Sequence, residues 1–280
     1  ARANLRLAPD VGPPTGTISF PWQATLTNLR VETLGGELAG SASVRNSSAG
    51  PLTSIDLEAQ RLSFPAMTTA VTALPAKLDS LQWAGAVSGP LHARFIGSGR
   101  EFTAEADWEV SAPLAVPPGF TPISGKLRGS YDAARKRLES NQSYVDLPNT
   151  HLSGSGWFDE HQSQMRLVAN TTNLSEIRTL SELVWRGSGE LPLRLDGRAS
   201  AEMSWTGGTE RPRMTGDFRV ADFTYQNQRW DSFTGRMDYQ HDASASRPPA
   251  SSGSAPPTSG AVIAISSGEL KRSPAVMNFD

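Results

Sequence analysis

"PLTSIDLEAQRLSF" at residues 51–64 and "PRMTGDFRVADFTY" at residues 212–225 are one sentence written twice. Pro51 matches Pro212 and Asp56 matches Asp217. Leu57 stands where the other copy has Phe218, Leu62 where it has Phe223, and Phe64 where it has Tyr225. In the first copy the apolar residues are Ile55, Leu57 and Ala59, then Leu62 and Phe64. In the second they are Met214, Gly216, Phe218 and Val220, then Phe223 and Tyr225. Period-two alternation marks a strand with one buried face. Both copies slip by one residue at the same place, which predicts a shared bulge or bend.

The repetition extends outward. Each copy follows an alternating small-residue strand, "GSASV" at 40–44 and "GRASA" at 197–201. A second pair, "ISGKLRGSYDA" at 123–133 and "FTGRMDYQHDA" at 233–243, aligns Gly125 with Gly235 and Asp132 with Asp242. The chain then reaches "SGWFD" at 155–159 or "MNFD" at 277–280. The unit is a run of antiparallel strands, divergently repeated and tolerant of insertions, as in a repeat sheet. Residues 1–280 read as one continuous β-repeat region.

Alternation is equally plain elsewhere. In "FTAEADWEV" at 102–110, Phe102, Ala104, Ala106, Trp108 and Val110 point one way, and Thr103, Glu105, Asp107 and Glu109 the other. With Leu91, Ala93 and Phe95 before the turn "GSGR" (97–100), it predicts a hairpin. A second hairpin joins 151–158 to 163–169 through "DEHQ". The segment "LPLRLDGRASAEMSW" (191–205) alternates throughout, from Leu191, Leu193 and Leu195 to Met203 and Trp205. Further strands are expected at 17–20, 25–32, 36–45, 123–131, 138–146, 233–239 and 261–270. One short helix is expected at 171–185, where Leu174, Ile177, Leu180, Leu183 and Val184 recur at helical spacing, capped by Asn173 or Ser175. A weaker helix pattern at 66–81 is broken by Pro75. Residues 243–260, rich in Pro, Ser, Ala and Gly, read as a disordered insertion within a hairpin.

Composition agrees with a mainly β chain. Apolar residues are 38% and charged residues 19%, so the polar balance falls to Ser, Thr, Gly, Asn and Gln, which suits strands and turns. A net charge of −2, with no basic cluster beyond "RKR" at 135–137, argues against a nucleic-acid partner. With no cysteine there are no disulfides or thiolate metal sites. The longest apolar run, "AVIAI" at 261–265, is too short to span a bilayer as a helix. The chain starts at "ARANLRL" without Met and reads as an internal fragment of a longer protein.

Catalytic patterns are missing from this text. His92, His151, His161 and His241 lie in separate segments, with no HxxxH or HExxH zinc spacing. The Gly-Ser-Gly stretches lack the Lys-Ser/Thr of a phosphate loop. A non-enzymatic protein without cofactor or metal is the expectation.

The Gly-rich strand "GELAGSASVRNSSAGP" is followed by "LTSIDLEAQRLSF", and later come "FTGRMDYQ" and "ISSGELKRSPAVMNFD". Together with "YVDLPNTHLSGSGWFD" before "QMRLVANTTNLSEI", these resemble the periplasmic repeat region of the AsmA-like family, most closely its TamB branch. The resemblance covers most of the chain and is one of style, without an invariant motif. It implies an elongated, curved antiparallel sheet folded into an apolar-lined groove of the β-taco kind. It also implies a parent protein anchored in the inner membrane of a diderm bacterium, with this part in the periplasm. The implied partners are phospholipid acyl chains moving toward the outer membrane, and an outer-membrane assembly protein. The C-terminal domain of that branch is not recognisable here.

A sheet with one apolar face must hide it, either in a closed sandwich core or as an open groove covered by acyl chains. The expected groove lining is the apolar phase: Ile55, Leu57, Phe102, Trp108, Val110, Leu167, Leu193, Leu195, Met203, Met214, Phe218 and Val220. Repetition suits a conduit, because each repeat adds length and every section resembles the next. Two other readings use the same strands. Outward-facing tryptophans would suit a carbohydrate-binding module, and a closed core would suit a structural stalk or adhesin.

Overall fold

A computed structural model of the 280-residue chain describes residues 2–9, 22–47, 50–70, 82–97, 101–159, 161–176, 197–208, 211–225, 228–242 and 260–279. The chain is mainly β and antiparallel, built of curved, bulged sheet that does not close into a barrel. It divides into two compact units, residues 1–145 and 146–280.

The first unit is a meander of β1 (Arg2–Pro9), β2 (Trp22–Thr33), β3 (Gly36–Ser47), β4 (Gly50–Ser63), β6 (Ala86–Ile96), β7 (Glu101–Ser111), β9 (Ser124–Asp132) and β10 (Arg137–Asp146), paired in that order. Between β4 and β6 come α1 (Phe64–Ala70) and β5 (Trp83–Ala84). The two-residue β8 (Thr121–Pro122) pairs parallel with β5 as a small second sheet. This unit has one tightly closed region. Ala59, Leu62, Ala84, Val87, Val110 and Ile123 are buried there, and Val87 and Ile123 are wholly enclosed. The connections through β5 and β8 fix it by hydrogen bonds from Phe64 N–H to Gly85 O and from Ile123 N–H to Ala84 O, both 2.9 Å.

The second unit runs β11 (Thr150–Phe158), β12 (Ser163–Thr171), β13 (Arg198–Thr206), β14 (Arg213–Tyr225), β15 (Gln228–Asp242), β16 (Gly260–Arg272) and β17 (Ala275–Phe279), again in chain order. Both predicted hairpins form, β6–β7 with Phe95 opposite Phe102 and β11–β12 with Gly154 opposite Leu167. In the "DEHQ" turn the Asp159 carboxylate accepts from His161 N–H (2.8 Å) and Gln162 N–H (2.6 Å). The helix predicted at 171–185 starts later, because Thr171 ends β12 and helical residues begin at 174. Asn173 caps it, its Oδ1 accepting from Ser175 N–H at 3.1 Å. The rest of that helix lies outside the described residues. So do Leu193 and Leu195, the strand expected at 17–20 and most of 66–81. The insertion at 243–260 is also outside except for Gly260, but its flanks pair as Asp242 opposite Gly260, so it does interrupt a hairpin.

The duplicated sentence folds as β4 and β14. Arg61 and Asp222, equivalent in the alignment, both adopt left-handed backbone with φ of 54° and 55°. Leu62 and Phe223, the residues after the slip, are both buried. The shared slip is a shared backbone feature. The small-residue neighbours are less alike. Gly40 lies opposite Leu57, whereas Ala201 rather than Gly197 lies opposite Phe218, a slide of four residues that preserves which face each side chain takes. The second duplication also holds in strand order, with β9, β10 and β11 answering to β15, β16 and β17. In the first unit β6 and β7 intervene between β4 and β9, while β15 follows β14 directly. Insertion of a hairpin is how this repeat tolerates change in length.

Candidate functional site

Antiparallel partners point to the same side of a sheet, so the registers define rows of side chains crossing the strands. In the second unit one face carries four such rows. The first is Met165, Trp205, Met214, Tyr239 and Ile263, and the second is Leu167, Met203, Gly216, Met237 and Ile265. The third is Leu152, Ala169, Ala201, Phe218 and Gly235. The fourth runs Thr171, Ala199, Val220, Phe233, Leu270 and Met277. Most of these side chains are half-buried rather than enclosed. Among the described residues of this unit the buried hydrophobics are only Leu147, Leu174, Phe223 and Tyr239.

The first unit repeats the arrangement. Leu26, Ala42, Ile55, Ala93, Ala104 and Tyr131 form one row. Leu29, Gly40, Leu57, Leu91, Ala106 and Gly129 form the next. Phe95, Phe102 and Tyr131 make an aromatic run with ring centroids 5.6 and 5.4 Å apart, and Trp108 stands opposite Leu127. These residues too are half-buried, except at the closed end.

The predicted lining is thus placed in two sets. Ile55, Leu57, Phe102, Trp108 and Val110 share a face of the first unit, and Leu167, Met203, Met214, Phe218 and Val220 share a face of the second. Val110 differs from the rest. It is 2% exposed and belongs to the closed region beside Ile123. Residues of the same rows that alternation alone had not singled out are Tyr131, Met165, Met237, Phe233 and Ile265. The signal for Phe233 and Met237 was there in the alternation of 233–239. Tyr131 needed the cross-strand register.

The opposite face is polar and laced with cross-strand ion pairs. The Arg128 guanidinium donates to Asp107 Oδ2 (Nη2, 2.5 Å; Nε, 3.0 Å), and Lys126 Nζ lies 3.1 Å from Oδ1. The hydrogen bonds from Arg128 first, and from Lys126 next, hold the Asp107 carboxyl below its ordinary range. Arg213 does the same to Asp238, through bonds of 3.1 and 2.5 Å, and its own guanidinium pKa is raised by that carboxylate. His92 Nδ1 lies 2.7 Å from Asp56 Oδ1. A shallow cleft of about 360 Å³ is lined by Thr206, Arg213, Thr215, Arg236 and Asp238.

Among the described residues no three His, Asp or Glu side chains come together as a metal site, and no helix is long and apolar enough to cross a membrane. The arrangement offers a two-faced sheet, with ion pairs on one side and rows of partly uncovered apolar side chains on the other. Such rows suit an apolar ligand held by area rather than by directed bonds. Comparison with family models, with curated proteins and with solved structures finds no match to this chain.

Proposed function

We propose that this chain is a non-enzymatic, lipid-binding segment that shields phospholipid acyl chains as they pass between the membranes of a diderm envelope. The parent protein would be anchored in the inner membrane, as the resemblance to the AsmA-like family implies. The observation that carries the reading is the set of largely half-buried apolar rows, continuous across β12 to β16 and backed by a mostly polar opposite face.

An acyl chain is a suitable occupant on physical grounds. Each methylene withdrawn from water contributes about 0.8 kcal/mol, and a row of Leu, Met and Phe side chains offers surface without requiring a fixed register. No titratable group is needed, and the ion pairs are on the other face. The β4 sentence, repeated in β14, gives each unit the same kind of surface.

The test is native mass spectrometry with lipid extraction on protein purified from the periplasm of a diderm host. Co-purifying phospholipid is expected, and Trp108→Glu together with Phe218→Glu should remove it while circular dichroism stays unchanged. A folded, lipid-free wild-type protein would sink the reading and return attention to a closed β stalk.

A further inference from the structure

Of six methionines in the chain, four fall on neighbouring positions of one sheet face. Met165, Met203, Met214 and Met237 occupy two adjacent rows across β12 to β15. They surround Gly216. Met203 is its partner on β13 and Met237 its partner on β15, while Met214 lies two residues away on the same face of β14. Met165 joins them through Trp205, which pairs with both Met165 and Met214. The Met203 sulfur lies 2.8 Å from where a β-carbon on Gly216 would stand, so the thioether rests over bare backbone. All four side chains are half-buried.

Strand formation does not account for this choice, since β-branched and aromatic residues suit a sheet better than methionine. Two properties of methionine do fit. It is an unbranched, polarizable side chain that adapts to irregular apolar partners. It is also oxidised reversibly to a polar sulfoxide. Trp205 adds a second observation, because its buried indole N–H, between two of the methionines, has no acceptor.

We propose that this cluster is a sulfoxidation site that switches the apolar face off, an inference that rests on the lipid-binding reading above. The oxidant is a hydroperoxide. A sulfur lone pair attacks one peroxide oxygen, the O–O bond breaks and an S–O bond forms. Sulfur loses two electrons, and the departing oxygen takes a proton and leaves as water or an alcohol. Each sulfoxide sets a strong hydrogen-bond acceptor among Leu167, Tyr239 and Ile265, where an acyl chain offers no donor. The free Trp205 N–H is a donor that the oxidised state can use and the reduced state cannot. Methionine sulfoxide reductases, one for each sulfur epimer, would restore the surface.

The experiment follows binding of 11-dansylaminoundecanoic acid to the purified protein before and after graded hydrogen peroxide, with each methionine mapped by peptide mass. Oxidation of the four-residue cluster should weaken probe binding about tenfold or more, and both reductases together should restore it. Met67, on α1 of the first unit and outside the apolar rows, is the control, and its oxidation should leave binding unchanged. In the conservative variant M165L/M203L/M214L/M237L, whatever its starting affinity, the affinity for the probe should be the same before and after peroxide. Unchanged binding after full oxidation of the cluster would overturn this inference alone. Loss of binding that tracks Met67, or unfolding of the oxidised protein by circular dichroism, would overturn it too. Absence of probe binding before oxidation would overturn the lipid reading and this inference with it.

Discussion

Arg61 and Asp222 hold the backbone in a left-handed conformation that non-glycine residues rarely adopt. Arg61 N–H is secured by Ser88 Oγ at 3.0 Å, and Asp222 by an ion pair to Arg198. A β-branched side chain tolerates such a backbone worst, so Arg61→Val should lower stability by about 1–2 kcal/mol in urea unfolding, while Arg61→Gly should not. Glycines on the apolar face play a different part. Gly154 faces Leu167, Gly216 faces Met203, Gly235 faces Phe218 and Gly268 faces Phe279, each a direct cross-strand pair. The Phe218 ring approaches within 3.3 Å of where a Gly235 β-carbon would be. The large side chain of each pair covers its neighbour's bare backbone. Gly216→Ala would drive a methyl group into the Glu202 carbonyl and the Met203 sulfur, and should cost about 1–3 kcal/mol by the same measurement. The left-handed positions at Arg61 and Asp222 were legible in the sequence because a slip in phase is a local signal. The glycine pairs were not, because register belongs to two strands at once.

At the scale of elements, β7 and β9 could be read almost directly, since each has a charged or hydroxylic outer face and an inner one of apolar residues and glycine. The apolar lining was legible for the same reason, as in β13, where every second residue from Ala199 to Trp205 is half-buried and the rest are exposed. The join between β11, β12 and the helix beginning at 174 was legible only at its cap. Its main fixture is a polar knot. Glu176 accepts from Thr150 Oγ1 (2.8 Å), Asn149 N–H (3.1 Å) and Asn149 Nδ2 (2.6 Å). Thr150 and Thr171 are both buried and share a hydrogen bond of 2.8 Å. No pattern in the text joins Asn149 to a glutamate 27 residues on, because the pairing of β11 with β12 is what brings them together. Glu176→Ala should leave the Thr150 hydroxyl and the Asn149 amide less satisfied and destabilise the second unit by about 1–3 kcal/mol. Hydrogen exchange should speed up at residues 147–150 and 171–176, and protection in β6 and β7 should be unaltered.

Across the whole molecule, the ion pairs contribute to how the protein responds to acid, and among the described residues each unit has one carboxylate with a clearly lowered pKa. Asp107 is held below its ordinary value of 3.8 chiefly by the Arg128 hydrogen bond, and Asp238 likewise by Arg213. A carboxylate whose folded-state pKa is depressed binds its proton more readily in the unfolded chain. Its stabilising contribution is therefore complete above about pH 4 and disappears as pH falls through the lower, folded-state value. Asp107 and Asp238 are both solvent-exposed, so the effect is modest and is screened by salt. The urea midpoint should hold level, as far as these two groups matter, from neutral pH down to about pH 4, and then decline. Asp107→Asn and Asp238→Asn should each flatten that decline, and 1 M NaCl should flatten it in the wild type, since the screening length is then only about 3 Å. Neither substitution touches the apolar rows, so binding of the dansyl fatty acid at pH 7 should be the same in both variants as in the wild type. A change in that binding would mean that the two faces of the sheet are coupled, which the separation of ion pairs on one side from methionine and aromatic side chains on the other argues against.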